Sequence, residues 1–246
     1  MQRRQFLASA LVGAPALLRG RSLPNIAIIS AAHPLKTSAA LEVIQSGAHV
    51  FIEQPYCPAP SEALLILQAA RASDRVVQIG EPEPLAIPHK FSFVRAFAHH
   101  PHSPDSRQQT LGHAARYWML QMLTATGGTP PHTVSSTGGR HLGNHSLDTQ
   151  VATFEFERFT FEWEHRTYIA AGPDRPRTGA FFHTADRIVA MRLNHATRAS
   201  YAAFLENIRI GKRPLESLER AHVAAVMVQL ATAAQQLQRP LRWDST

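Results

Sequence analysis

The side chains best suited to binding a metal ion lie in one short stretch. His99, His100, His102 and Asp105 offer three imidazoles and a carboxylate, which are ligands that suit zinc or nickel. Two prolines interrupt the stretch, and polar segments rich in proline commonly form solvated turns. We therefore predict no metal site.

Nucleophilic catalysis has little support in the sequence. Ser30, Ser135 and Ser136 lie outside any Gly-x-Ser-x-Gly elbow, the sharp turn that exposes the catalytic serine of α/β-hydrolases. Cys57 is the single cysteine and has no activating base nearby in the sequence, whereas a reactive thiol must be deprotonated. The sequence predicts a structural cysteine and no hydrolase triad.

Two basic pairs are better candidates for contact with a polar ligand. Arg140 and His141 follow a pair of glycines, and His165 and Arg166 end a predicted strand. Cationic and polar side chains at strand ends beside a cleft commonly contact sugar hydroxyls or acidic substituents. A surface position would account for the same residues, so both interpretations stay open at this point.

The first part of the chain alternates short apolar runs with segments of helical spacing. Strands are predicted at 25–30, 49–52 and 76–79, and helices at 37–46 and 61–72, with Ser61 as the cap of the second helix. The order βαβαβ predicts a small parallel sheet with right-handed crossovers. Its first strand leaves one edge uncovered, and such an edge is normally paired or capped.

A proline-rich stretch ending at Pro88 separates this part from the remainder. We predict a partial Rossmann-like α/β domain at 23–88 and an α+β domain at 89–246, which opens with a strand at 91–97 and a helix at 107–123. Phe154, Phe156, Phe161 and Trp163 alternate with polar residues, which favours a mainly antiparallel sheet whose aromatic stripe forms its core. Two C-terminal helices are expected to close against that sheet.

Composition excludes several classes of protein. With 44% hydrophobic and 17% charged residues in a chain of 246, a folded globular protein is expected. The formal charge is +7, but four arginines lie within the first 22 residues, and without them +3 remains. So weak a positive field does not argue for nucleic-acid binding.

The N-terminus has the pattern of an export signal. Arg3 and Arg4 precede an apolar, small-residue run from Ala8 to Leu18, which is typical of a twin-arginine signal at 1–22. The run is shorter than the roughly 20 apolar residues that a membrane-spanning helix needs. We predict a periplasmic or exported protein without a stable transmembrane span, tethered to the membrane if the signal is not cleaved.

The segment from Gly47 to Pro55, GAHVFIEQP, resembles the "G-K-H-V-x-x-E-K-P" motif of the glucose-fructose oxidoreductase / inositol dehydrogenase (Gfo/Idh/MocA) family. The resemblance covers most of the chain after residue 25 and continues through Arg75–Gly80, Asp148–Val151, Trp163–Arg166 and Leu241–Asp244. It implies a Rossmann domain, a second domain whose open sheet often serves oligomerisation, an NAD(P) cofactor, and a sugar or polyol substrate.

The resemblance also assigns site residues. It implies cofactor contacts at Ser30, Ala31, Glu53, Gln54 and Pro55, catalytic positions at Gln54, Gln109 and His113, and a substrate contact at Arg116. Gln54 and Gln109 replace the lysine and the aspartate of the family pattern. An amide donates a hydrogen bond but does not shuttle protons near neutral pH.

A larger departure is the absence of a Gly-x-Gly-x-x-Gly pattern anywhere in the chain, since that turn brings backbone amides to the pyrophosphate. We therefore expect an oxidoreductase-like protein of the cell envelope that lacks autonomous NAD(P)-dependent turnover. It would bind a sugar or polyol derivative as a homo-oligomer or with a full-length relative. The alternatives are an active enzyme whose cofactor site is completed by a partner subunit, and a non-redox lyase that uses His113.

Overall fold

The computed structural model describes residues 25–30, 35–53, 59–81, 85–99, 111–141, 148–166, 177–192 and 198–243. The side chains of residues 111–114 and 198 lie outside that description. Within it, no helix combines the length and the apolar character needed to cross a membrane.

The first sheet is parallel and has the predicted βαβαβ order. Its elements are β1 (Ile26–Ile29), α1 (Lys36–Gln45), β2 (His49–Ile52), α2 (Pro60–Ala72) and β3 (Val77–Ile79). The strand order is β1-β2-β3. Every residue of the central strand β2 is buried, as expected for a parallel strand covered on both faces.

Local chemistry sets the ends of the two helices. Helix α2 begins at Pro60, whose fixed backbone angle suits the first helical position, and the Ala59 N–H donates to the Glu62 carboxylate at 2.8 Å. The prediction of Ser61 as the cap was therefore wrong. After α1, Gly47 adopts φ +79°, a left-handed conformation that glycine reaches without strain.

A buried histidine joins β2 to β3. The Nδ1 atom of His49 accepts a hydrogen bond from the Val76 N–H at 2.9 Å. Burial, assisted by the nearby Arg75 charge, lowers the pKa of His49 below its ordinary value. The ring is thus held in its neutral form, which has the lone pair that the contact needs.

The second sheet has seven strands in the order β10-β5-β6-β7-β4-β8-β9. The strands are β4 (Phe93–His99), β5 (Thr133–Gly139), β6 (Thr149–Glu155), β7 (Thr160–Arg166), β8 (Thr178–His183), β9 (Ile188–Met191) and β10 (Leu241–Arg242). Only the β4–β7 pair is parallel. The prediction of a mainly antiparallel sheet is confirmed, and β4 starts two residues later than expected.

One face of this sheet, the inner face, packs against helices and the other is open. The inner face carries Phe154, Phe161, Trp163 and Phe182, all fully buried. It is covered by α3 (Leu111–Ala125), which contributes Trp118, Met119 and Met122 to the same core. The aromatic stripe is therefore sheet core, as predicted.

The last two helices do not both close on the antiparallel sheet. Phe204 of α4 (Arg198–Ile210) packs on Phe51 of β2. In α5 (Leu215–Leu237), Leu218 belongs to the core of the parallel sheet, and Met227 belongs to that of the antiparallel sheet. The expectation was wrong for α4 and for the first part of α5, because their apolar side chains complete the first sheet. The domain boundary at residue 88 stays a prediction.

Phe204→Ala should destabilise the chain by about 3–5 kcal/mol, because it empties a fully buried aromatic site against Phe51. Leu205→Ala, at a neighbouring position that is 40% exposed, should cost below about 1 kcal/mol. Urea unfolding followed by circular dichroism measures both. Equal losses would show that α4 does not pack on the parallel sheet.

Candidate functional site

The inner face of the seven-stranded sheet changes from apolar to polar toward one end. Successive inner positions are two residues apart, so β6 presents Phe154, Ala152 and then Gln150. Strand β7 presents Trp163 and then His165. Gln150 and His165 are direct neighbours across the two strands and are 3% and 5% exposed. Two hydrogen-bonding side chains therefore lie together at the end of a buried face.

Strand β5 and the start of β6 extend this polar region. The Gln150 Nε2 donates to the Ser136 hydroxyl at 2.9 Å. The fully buried carboxylate of Asp148 accepts the His141 N–H at 2.7 Å and the Thr149 hydroxyl at 3.1 Å. On β5, Gly138 lies so close to β6 that a side chain has no room, because a Cβ there would lie 2.2 Å from the Thr149 carbonyl oxygen.

Helix α3 brings a buried cation to the same half of the molecule. Its C-terminal end is held at the β6–β7 turn, where Arg158 Nη2 donates to the Ala125 carbonyl at 3.2 Å. Its N-terminal half, which contains the buried Arg116, therefore points toward the opposite end of the sheet. We call Ser136, Asp148, Gln150 and His165 the polar end of the inner face.

The structure places several of the predicted residues apart from the polar end. Ser30 and Glu53 follow β1 and β2 directly, so they share the carboxyl edge of the parallel sheet, where ligands of open α/β folds bind. Ala31, Gln54, Pro55 and Gln109 lie outside the described residues, as does the side chain of His113. Their predicted roles stay predictions.

Sequence analysis missed Glu81, which follows β3 at that same edge. Arg220 Nη2 donates to its two carboxylate oxygens at 3.2 and 3.1 Å, and the Glu81 N–H donates to the Ser200 hydroxyl at 3.1 Å. Burial raises the pKa of Glu81, and Arg220 partly opposes that rise. An acid two residues after a buried strand was the signal in the sequence that could have identified it.

The described part of the parallel sheet does not fit a pyrophosphate cradle. Its only glycines are Gly47 and Gly80, and each has another role. Gly47 makes the turn after α1, whereas a Cβ on Gly80 would lie 3.1 Å from the Phe51 ring. Neither lies at a strand-to-helix turn, where backbone amides contact a dinucleotide.

The predicted pair His165 and Arg166 is split between the two faces of the sheet. Arg166 lies on the open face, where its Nε is 2.6 Å from the Glu164 carboxylate. Glu164 also binds Arg95, and it binds His99 Nε2 at 3.0 Å. Arg140 is exposed after β5. Of the four predicted substrate contacts, only His165 belongs to the polar end. Arg116 is buried on α3, the helix that covers the inner face.

Glu164 is an almost fully buried carboxylate on the open face. Burial acts to raise its pKa, but the hydrogen bonds from Arg95 and His99 and the charge of Arg166 outweigh it, so the pKa lies below its ordinary value. Of the four residues considered as metal ligands, only His99 belongs to this cluster. His100, His102 and Asp105 lie outside the described residues. No group of side chains that could hold a metal ion occurs among those described.

No protein-family model and no curated protein sequence matches the chain. Solved structures do match it. Myo-inositol 2-dehydrogenase from Lactobacillus plantarum superposes with a TM-score of 0.73 at 12% identity, covering 91% of this chain and 82% of that one. The fold is that of the Gfo/Idh/MocA-type oxidoreductases.

Two further solved structures have the same fold. GenD2 from gentamicin A biosynthesis, in complex with NAD, gives a TM-score of 0.74 at 10% identity and covers 90% of this chain and 79% of its own. UDP-N-acetylglucosamine 3-dehydrogenase GnnA from Acidithiobacillus ferrooxidans gives 0.68 at 18% identity, covering 87% and 79%. The Gfo/Idh/MocA resemblance seen in the sequence is therefore confirmed at the level of the fold.

Glu164→Gln should destabilise the protein by about 1–3 kcal/mol at neutral pH, because Arg95 and Arg166 lose a buried counter-charge. The native pKa lies below the unfolded value of 4.5, so the stabilisation is present above that value and is lost as the pH falls through the native pKa. Urea unfolding at several pH values measures the difference from the wild type. Glu162→Gln, which removes one contact to Arg95 at 3.2 Å, is the control with a smaller effect, and a difference that does not shrink in acid would contradict the assignment.

Proposed function

We propose that this chain binds a sugar or polyol derivative at the polar end of the inner face and does not by itself oxidise that ligand with NAD(P). The observation that carries the proposal is the pairing of Gln150 with His165 at the end of an otherwise apolar face. Buried amide, imidazole and hydroxyl groups form the hydrogen bonds that ligand hydroxyls require. Solved neighbours named as inositol and UDP-N-acetylglucosamine dehydrogenases support this ligand class.

Two features support the absence of autonomous redox turnover. The chain contains no Gly-x-Gly-x-x-Gly pattern, and the two described glycines of the parallel sheet serve a turn and a packing contact. Gln54 stands where the family pattern has lysine, and an amide cannot take up the proton released when an alcohol is oxidised. The same proposal places the protein in the cell envelope, supported by Arg3 and Arg4 ahead of an apolar run.

The edge strand β1 supports a partner for this chain. The backbone N–H groups of His49 and Glu53 donate to the carbonyls of Asn25 and Ile29, so the backbone groups of Ile26 and Ile28 point away from β2. No described strand pairs with that edge, and the two isoleucine side chains are 39% and 50% exposed. We propose that a second chain, either another copy or a full-length relative, pairs there.

This edge also favours the alternative function. A cofactor site completed by a partner subunit requires a strand beside β1, because the dinucleotide of an open α/β sheet binds where strands of the two half-domains meet. In that case the carboxyl edge with Ser30, Glu53 and Glu81 would face the cofactor. The two functions differ in whether the isolated chain binds NAD(P).

Titration of the purified chain with NAD(H), NADP(H), myo-inositol and UDP-N-acetylglucosamine by calorimetry tests the proposed function. We expect no saturable nucleotide binding below roughly 0.1 mM, which corresponds to about 5.5 kcal/mol, and saturable binding of one of the hydroxylated ligands. His165→Phe should weaken that binding at least tenfold, because a buried ligand hydroxyl loses its partner.

His183→Phe is the matched control, because His183 is a half-buried histidine on β8 outside the inner face. It should leave the affinity unchanged. Tight NAD(P) binding by the chain alone would replace the proposal with the alternative. Failure of all hydroxylated ligands to bind a folded chain would reject the polar end as a sugar site.

Light scattering after size-exclusion chromatography tests the partner surface. If β1 pairs with a second copy, Ile28→Lys should lower the mass to that of the 27.2 kDa chain, because lysine on an edge strand opposes strand pairing. Phe181→Lys places a charge at a 38% exposed position on the open face of the other sheet. It therefore distinguishes oligomerisation through that face from pairing through β1. A mass that only Phe181→Lys lowers would assign the interface to the open sheet.

A further inference from the structure

A large cavity lies at the far end of the seven-stranded sheet from the polar end. It measures about 1080 Å³ and lies between the connector 85–92, the C-terminal end of α3, and the β6–β7 and β8–β9 turns. Seven-residue strands that rise about 3.3 Å per residue separate the two ends by roughly 20 Å. The cavity is therefore distinct from the candidate sugar site.

Its floor is apolar and continuous with the core. Leu85, Ile87 and Phe91 line it and pack against the buried residues of the sheet. The Phe91 ring also lies 4.7 Å from the Phe159 ring and 5.2 Å from Phe182. A ligand with a hydrocarbon body would gain free energy here by removing both its own surface and these side chains from water.

The wall formed by the connector is anchored at both ends. The Leu85 N–H donates to Gln121 Oε1 at 3.2 Å. Ser92 donates its N–H to the His183 carbonyl and accepts the Thr160 N–H, both at 3.0 Å. A wall held in this way loses little conformational freedom when a ligand enters.

The mouth of the cavity carries positive charge. Lys90 and Arg158 line it together with His89, and no carboxylate occurs among the described residues that line it. Lys90 and Arg158 are both exposed, so they favour an anionic group through a charge attraction that salt screens. A neutral apolar ligand would make no use of these cations.

From these observations we propose that the cavity binds an amphipathic carboxylate, with its acyl or aryl body on the Leu85–Ile87–Phe91 floor and its carboxylate at Lys90 and Arg158. The charge of the mouth selects this occupant over a neutral hydrocarbon. The site is independent of the proposed sugar binding, so either proposal can fail without the other.

Calorimetric titration of the full chain with hexanoate, octanoate and decanoate tests the proposal. We expect one saturable site whose affinity rises roughly three- to fourfold for each added methylene, as burial of hydrocarbon requires. Decanoate should bind more tightly than decanol, and added salt should reduce that preference. Absence of saturable decanoate binding to the folded chain would overturn the proposal.

Variants locate the binding site. Lys90→Gln with Arg158→Gln should remove the preference for decanoate over decanol and weaken decanoate binding at least fivefold. Lys212→Gln with Arg242→Gln, which removes the same charge from two exposed positions outside the cavity, should change neither. Ala185→Trp, at an exposed lining position, should block both ligands by filling the mouth. Binding that none of the cavity variants changes would place the ligand elsewhere and reject the assignment.

Discussion

The fold depends on one helix that belongs to two hydrophobic cores. The first part of α5 places Leu218 and Ala221 among the residues of the parallel sheet, and the next turns place Ala224 and Met227 against the antiparallel sheet. A small three-stranded sheet has little apolar surface of its own to bury. Its stability therefore depends on side chains that lie more than a hundred residues later in the chain.

This shared helix also organises the carboxyl edge of the parallel sheet. Arg220 of α5 donates a hydrogen bond to the Glu81 carboxylate, which follows β3. The Glu81 N–H donates to the Ser200 hydroxyl of α4. Gln78 of β3 also binds α4: its amide nitrogen donates to the Ser200 carbonyl, and its amide oxygen accepts from the Asn207 side chain. The carboxyl edge of the parallel sheet is thus held in place by the two C-terminal helices.

The antiparallel sheet separates three chemical environments by simple geometry. Strand alternation sends His165 to the inner face and Glu164 and Arg166 to the open face, where they form a charged cluster with Arg95. The distance along seven-residue strands separates the polar end from the cavity beneath the connector 85–92. One sheet therefore keeps the polar end, the ion cluster and the cavity apart from one another.

The sequence by itself determined the βαβαβ order of the first sheet, the parallel and mainly antiparallel character of the two sheets, and the Gfo/Idh/MocA-type fold, but it did not predict β5, β8, β9 and β10. Those properties follow from local hydrophobic spacing and from motifs contiguous in the chain, such as Gly47 to Pro55. Only the tertiary structure decided that Phe204 packs on the first sheet, that His165 pairs with Gln150, and that Glu81 meets Arg220. These contacts join residues far apart in sequence, and no local pattern encodes which distant partner a side chain will meet.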